Sequence, residues 1–199
     1  MIDQILQYDT ELFFYLNGLG TPTWDPFWMA YTTKFNWIPF YAILLYLLFR
    51  QIGKKPFLIT ILVVALMVLF TDQITNLFKS GFHRLRPCHV ADLLDRGMRV
   101  VREGCGGQHG FFSGHASNSM GVAVFTALML RHRYKFMPYI LIIWALLMAY
   151  SRVYVGVHYP LDILCGMIFG AISGYAFYRL NIYLMHTLVN FSKGRSNHR

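Results

Sequence analysis

The sequence predicts an all-α, polytopic bundle of five to six membrane helices with an amphipathic or interfacial helix at its N-terminus. Three observations carry that expectation. Hydrophobic residues make up 56% of the 199-residue chain and its mean hydropathy is +0.42, too apolar for an ordinary water-soluble fold. The apolar residues fall in runs close to the length that crosses a bilayer. Rings are abundant, with 17 Phe, 13 Tyr and 4 Trp, as occurs where aromatic side chains gather at the membrane–water boundary. The length fits one domain spanning 1–199.

The first twenty residues carry apolar side chains at Ile2, Ile5, Leu6, Phe13, Phe14 and Leu16, and end in the turn Asn17–Gly20. That pattern predicts an amphipathic helix over 1–23 lying in the membrane plane. A sixth crossing there is the alternative, which Asp3, Asp9 and Glu11 oppose. No basic leader with a small-residue cleavage site precedes it, so insertion is expected to rely on the later segments. Runs 56–78, 116–131, 136–152 and 161–185 approach the roughly 20 residues that a crossing needs. A shorter run, 36–50, extends upstream through an aromatic stretch from Trp24, whose rings are expected to shape a lipid access groove.

Charge supplies the orientation. Arg50, Lys54 and Lys55, then Arg131, Arg133 and Lys135, then the tail from Lys193 through Arg195 to Arg199 fall on one face if crossings alternate. Positive charge marks the cytoplasmic side, so links 79–115 and 152–160 are expected to face outward. The link 79–115 breaks the bias with Lys79, Arg84, Arg86, Arg96, Arg99 and Arg102, and an anionic ligand is the natural reason for them. The net charge of +9 therefore reflects topology and headgroups, and nucleic acid is not an expected partner. Cys88 and Cys105 share the outward link, where a bridge is allowed in an oxidising compartment; two free thiols are the alternative. Cys165 reads as a small buried hydrophobe.

Three clusters stand at helix ends on that outward face: Lys79 through Arg86 and Pro87, then Ser113-Gly114-His115, then Ser151-Arg152 followed by His158 and Asp162. Singly, each has a plain structural role: headgroup anchors, a helix cap, a local hydrogen bond. Together they suit phosphoryl transfer. Arg86 and Arg152 offer guanidinium forks and Lys79 a point charge for a phosphate dianion. Gly114 allows close backbone approach near a helix N-terminus. His158 and Asp162 form a nucleophile–orienter pair, with Pro160 starting the final helix, and His115 is placed to serve as acid and base. There is no dense carboxylate cluster for a metal, and no cofactor is expected.

These clusters resemble the signature of the type 2 phosphatidic acid phosphatase superfamily: Lys-x6-Arg-Pro, Pro-Ser-Gly-His and Ser-Arg-x5-His-x3-Asp. Lys79, Arg86 and Pro87 match the first, and Ser113, Gly114 and His115 the second, with Phe112 in place of the usual Pro. Ser151, Arg152, His158 and Asp162 match the third. The resemblance implies a helical core shared with haloperoxidases and a phosphate cradle of Lys79, Arg86, Arg152, Ser113 and Gly114. It also implies a nucleophile His158 partnered by Asp162, and an acid/base His115. The expected activity is hydrolysis of a lipid phosphate in the bacterial inner membrane. Undecaprenyl diphosphate and phosphatidylglycerophosphate rank slightly ahead of phosphatidic acid and lipid A phosphates, because small bacterial relatives often act on them. A vanadate-dependent haloperoxidase is opposed by the apolar spans, and a non-catalytic lipid binder by the intact His-His-Asp set. His83, His89, His109 and Asn118 are weaker candidates for headgroup contact.

Overall fold

The computed structural model describes residues 1–102 and 104–196, with side chains described to 188. The described residues form eight α-helices and two short 3-10 turns, with no strand longer than the isolated bridge between Leu85 and His109. The basic tail Lys193–Arg199 falls outside the described side chains.

Four helices are long and apolar enough to cross a membrane: Lys34–Ile52, Lys54–Phe82, Met137–Tyr154 and Pro160–Leu188. They contain α3 (Ile38–Ile52), α4 (Lys54–Phe82), α7 (Met137–Tyr154) and the first part of α8 (Pro160–Ser196). The run expected at 116–131 is α6 (Gly114–Leu130), a 17-residue helix that is shorter than those four. Its 17 residues rise only about 25 Å, and most are buried because α6 is the central post of the bundle.

The α6–α8 contact organises everything else. Gly166, Gly170 and Gly174 of α8 face Ser113, Ser117 and Gly121 of α6, advancing by one turn on each helix, so the two run parallel. A Cβ on Gly166 would stand 2.6 Å from the Ser113 carbonyl, and one on Gly174 would stand 2.5 Å from that of Gly121. Backbones can approach this closely only where side chains are missing. Around the post, Leu44, Ala123 and Trp144 pack α3, α6 and α7 together, while Leu48, Met67 and Phe125 join α3, α4 and α6.

Upstream of α3, the chain is not one extended crossing. A short α2 (Asp25–Thr32) ends at the extended residue Thr33, and a 3-10 turn (Lys34–Trp37) then leads straight into α3 as the start of the 34–52 span. Their rings pack inward: Trp28 stacks on Tyr154 and Trp37 meets Trp144. These aromatics therefore glue α2 to α7, and of the aromatic stretch Tyr41 alone lines the neighbouring cavity described below.

The N-terminal helix expected over 1–23 is α1 (Ile2–Gly18), and it has two distinct faces. Its buried residues are Asp9, Phe13 and Asn17, while Ile2, Ile5, Leu6 and Leu12 are exposed. Asn17 is a clamp rather than a turn residue. Its amide donates to the carbonyls of Arg99, Val153 and Tyr154, and its oxygen accepts from Arg99 N at 2.8 Å.

Candidate active site

The site lies where the N-termini of α6 and α8 meet the end of α4. Pro160 begins α8 and places Asp162 in its first turn, with His158 just before it in the tight connection from α7. Gly156 makes that connection possible: its φ is +82°, and a Cβ would stand 2.5 Å from the Arg99 carbonyl. Ser113 N donates to the Asp162 carbonyl at 3.0 Å, which ties the start of α6 to the start of α8.

His158 and Asp162 are both buried, and His158 Nδ1 lies 3.2 Å from Asp162 Oδ2. The same oxygen accepts from Tyr159 N at 3.1 Å. With Nδ1–H donating to the carboxylate, the imidazole presents its Nε2 lone pair outward. Burial pushes the His158 pKa below its ordinary value, and Arg152 and Arg86 push the same way against the pull of Asp162. These contributions favour the neutral form of the ring.

Cations surround this pair. Arg152 is 2% exposed, and its Nη1 donates to Thr32 Oγ1 at 2.5 Å, but its buried Nε has no hydrogen-bond partner among the described residues. Arg86 is also buried, its Nη1 donating to the Cys105 carbonyl at 2.9 Å and its Nε to that of His109 at 3.3 Å. Burial, then the nearby charge of Arg102, lowers the Arg86 pKa from its ordinary value. Lys79 sits inside the last turn of α4, which runs four residues past the expected end at 78. Its Nζ lies 3.8 Å from the place a Gly114 Cβ would occupy. Buried guanidinium nitrogens lacking partners are costly unless an anion completes them.

Ser113 has its hydroxyl engaged as the N-cap of α6, accepting from Ala116 N at 3.5 Å. His115 is part-exposed on the first turn of α6 and lines a cavity of about 360 Å³. Leu44 and Leu48 of α3, with Val64 and Val68 of α4, give that cavity apolar walls; Asp72 and His115 close its polar end. Asn118, one turn on, donates to Asp72 Oδ1 at 2.7 Å and accepts from Thr71 at 2.5 Å, so its amide is committed to α4. Cys88 and Cys105 are bonded, with Cα atoms 6.0 Å apart. Phe112 is buried between Phe78 and Phe169, so two rings brace the position where the superfamily signature has Pro. His83 and His109 pair ring to ring 4.8 Å apart, and His83 and His89 are exposed.

Several basic residues of the 79–115 link are held by carboxylates of the protein itself. Arg99 pairs with Asp25, Arg96 with Asp92, and Arg84 with both Asp9 and Asp162. Sequence reasoning passed over several residues that belong to the site. Gly110 is one: a Cβ there would stand 3.1 Å from Asp162 Oδ2 and 3.5 Å from His158 Nδ1. Thr32, Lys34 and Asp72 are others, and no local motif marks them.

A helical membrane bundle that sets a buried His–Asp pair against clustered cations has the architecture of a membrane-embedded phosphatase. The chain belongs to the PAP2 superfamily, whose family model matches residues 56–185, and it is a lipid phosphatase of that type. It is similar to the lipid A 4'-phosphatase of Bacteroides thetaiotaomicron, 36% identical over 179 residues covering 89% of this chain and 79% of the relative. It is also similar to the lipid A 4'-phosphatase of Porphyromonas gingivalis, 35% identical over 92% of this chain and 76% of that one. Its fold resembles the crystal structure of a transmembrane PAP2-type phosphatidylglycerolphosphate phosphatase from Bacillus subtilis. The TM-score is 0.72 at 18% identity, covering 91% of this chain and 88% of that one.

Proposed function

We propose that this lipid phosphatase removes the 4'-phosphate of lipid A at the periplasmic face of the inner membrane, through a phosphohistidine on His158 and without a metal ion. The observation that carries the reading is the buried Arg152, whose unpartnered Nε lies in the same cluster as the His158–Asp162 pair. The relatives at 36% and 35% identity bear the name lipid A 4'-phosphatase, which moves that substrate ahead of undecaprenyl diphosphate and phosphatidylglycerophosphate. The apolar cavity beside His115 supports a lipid whose chains stay in a greasy groove while the phosphate meets the cations. The exposed basic residues Arg50, Lys54, Arg131, Arg133 and Lys135 at the opposite helix ends support the orientation.

The chemistry follows from the groups present. Lys79, Arg86, Arg152 and the free N–H groups at the start of α6 bind the phosphate oxygens, supplying the charge that a metal would otherwise bring. His158 Nε2 attacks phosphorus, the bond from phosphorus to the sugar oxygen breaks, and His115 gives that oxygen a proton; burial and the neighbouring cations lower the His115 pKa, and a bound phosphate dianion offsets those cations and favours its charged form. Asp162 stabilises the positive charge gained by the imidazole. Water then loses a proton to His115 and attacks phosphorus; the P–N bond breaks and inorganic phosphate leaves.

Phosphate release from lipid A, undecaprenyl diphosphate, phosphatidylglycerophosphate and phosphatidic acid, with EDTA present, tests the reading. Lipid A should be turned over fastest, His158→Ala should abolish release, and labelled phosphate should be trapped on His158. Loss of activity with EDTA, or turnover by His158→Ala, would overturn it.

A further inference from the structure

Arg84 lies two residues before Arg86, yet its guanidinium is engaged by protein groups. Nη1 donates to Asp162 Oδ1 at 2.8 Å, Nη2 donates to Asp9 Oδ2 at 2.6 Å, and the plane lies over the Tyr159 ring at 4.0 Å. Its backbone is fixed as well, since Gly110 N donates to the Arg84 carbonyl at 2.8 Å. Asp9 is equally committed. Its second oxygen accepts from Leu161 N at 2.7 Å, at the N-terminus of the helix that carries Asp162. Phe13, one turn along α1, packs against Tyr159 with ring centroids 5.5 Å apart.

Asp162 thus has its two oxygens divided. Oδ1 belongs to Arg84, and Oδ2 belongs to Tyr159 N and His158 Nδ1. A carboxylate held by one oxygen alone can swing about its last bond and take its hydrogen bond out of line. Held by both, it fixes the tautomer and the ring direction of the histidine. We propose that Asp9 and Arg84 are positioning residues for the nucleophile: Asp9 on α1 aims Arg84, and Arg84 locks Asp162, so that His158 Nε2 is directed at phosphorus. The relay rests on the proposed role of His158. It reaches the site from a helix outside the three sequence motifs, and it gives Arg84 a duty different from that of its neighbour Arg86. Arg84 acts on the nucleophile's partner and leaves the phosphate to the other cations.

The test uses the full chain in mixed micelles with lipid A as substrate, comparing Arg84→Gln, Arg84→Lys, Asp9→Asn and the Asp9→Asn/Arg84→Gln pair. Displacing a reacting group by a fraction of an ångström to an ångström costs up to about 100-fold in rate. The expected result is a fall in kcat of roughly 10- to 100-fold for Arg84→Gln with KM within about threefold. Asp9→Asn should lose less, the double variant should be no slower than Arg84→Gln, and Arg84→Lys should recover part of the rate by restoring charge without the fork. A rise in KM at unchanged kcat would put Arg84 on the substrate instead. Multiplying losses in the double variant would make the two residues independent. Lower melting temperature with unchanged kcat would make them a structural staple. Each of these overturns the relay. His158→Ala is measured alongside: if it is inactive while the Arg84 variants turn over normally, the relay alone fails. If His158→Ala is active, the phosphohistidine reading fails and takes the relay with it.

Discussion

At the scale of single residues, the site depends on where charge is withheld as much as where it is placed. His158 titrates below the ordinary imidazole value of 6.5 because it is buried beside Arg152 and Arg86. Its neutral, attacking form therefore persists as pH falls past 6.5 and disappears only as pH drops through the lowered folded pKa. The expected profile of kcat/KM has an acid limb below pH 6.5, once the substrate's own second ionisation, at about pH 6, has been divided out. A limb at or above 6.5 assigned to His158 would contradict this. Gly110 gives a second prediction at this scale. Gly110→Ala would press a methyl group toward Asp162 Oδ2 and Arg86 Cγ, 3.1 and 3.2 Å away. Relieving that contact moves the His158–Asp162 pair, so on the proposed mechanism kcat should fall about 10-fold or more while the fold persists. Wild-type turnover in this variant would mean that the pair tolerates the shift.

At the scale of elements, the parallel α6–α8 contact sets the spacing of the two helix ends that carry His115 and Asp162. Gly166→Ala places its new carbon 2.6 Å from a backbone carbonyl, and a backbone cannot rotate out of the way as a side chain can. The helices must part, at a cost of about 1–3 kcal/mol, and His115 and His158 part with them. Thermal unfolding in detergent should show the loss, and activity should fall further than stability alone explains. The three glycines at four-residue spacing went unread in the sequence, because what they pack against shows only once α6 lies beside them. The runs 36–50, 56–78, 136–152 and 161–185 mark the four spans in the sequence, which the helices extend by a few residues at most ends, because runs that apolar suit little besides a membrane crossing. The inward face of α1 was not legible there. Asp9 and Asn17 look like reasons to keep that helix in water, and only the positions of Arg84, Leu161 and Arg99 turn them into buried partners.

At the scale of the molecule, two arginines two residues apart show why motif spacing stops short of a site. Motif spacing singles out Arg86 and is silent on Arg84, and tertiary structure alone sends Arg84 to Asp162 and Arg86 to Cys105 and His109. The loop that holds both is tied by the Cys88–Cys105 bond, with a sequence separation of 17. Closing a loop of this size is worth about 3 kcal/mol. Replacing both cysteines by serine should lower stability by about that amount, read from denaturation of the purified protein, and should weaken phosphate binding because the Arg86 fork leans on the Cys105 carbonyl. Topology can be checked in cells. A Lys135→Cys variant should react with a membrane-impermeant maleimide only after lysis, whereas Asp95→Cys should react in intact spheroplasts. The opposite labelling pattern would invert the orientation.

The contact between Asp9 and Leu161 joins residues 152 positions apart, and Arg84 bridges the same two ends of the chain. Synthesis runs from the N-terminus, so α1 emerges and meets the membrane long before its partner helix exists. The His158–Asp162 pair, proposed to be catalytic, therefore has no complete support until α8 has been inserted and has docked on α1 and α6. A ribosome-bound chain with its earlier helices in place would remain inert. Catalytic competence would then report that the last helix has docked, which makes turnover a direct assay of finished membrane assembly.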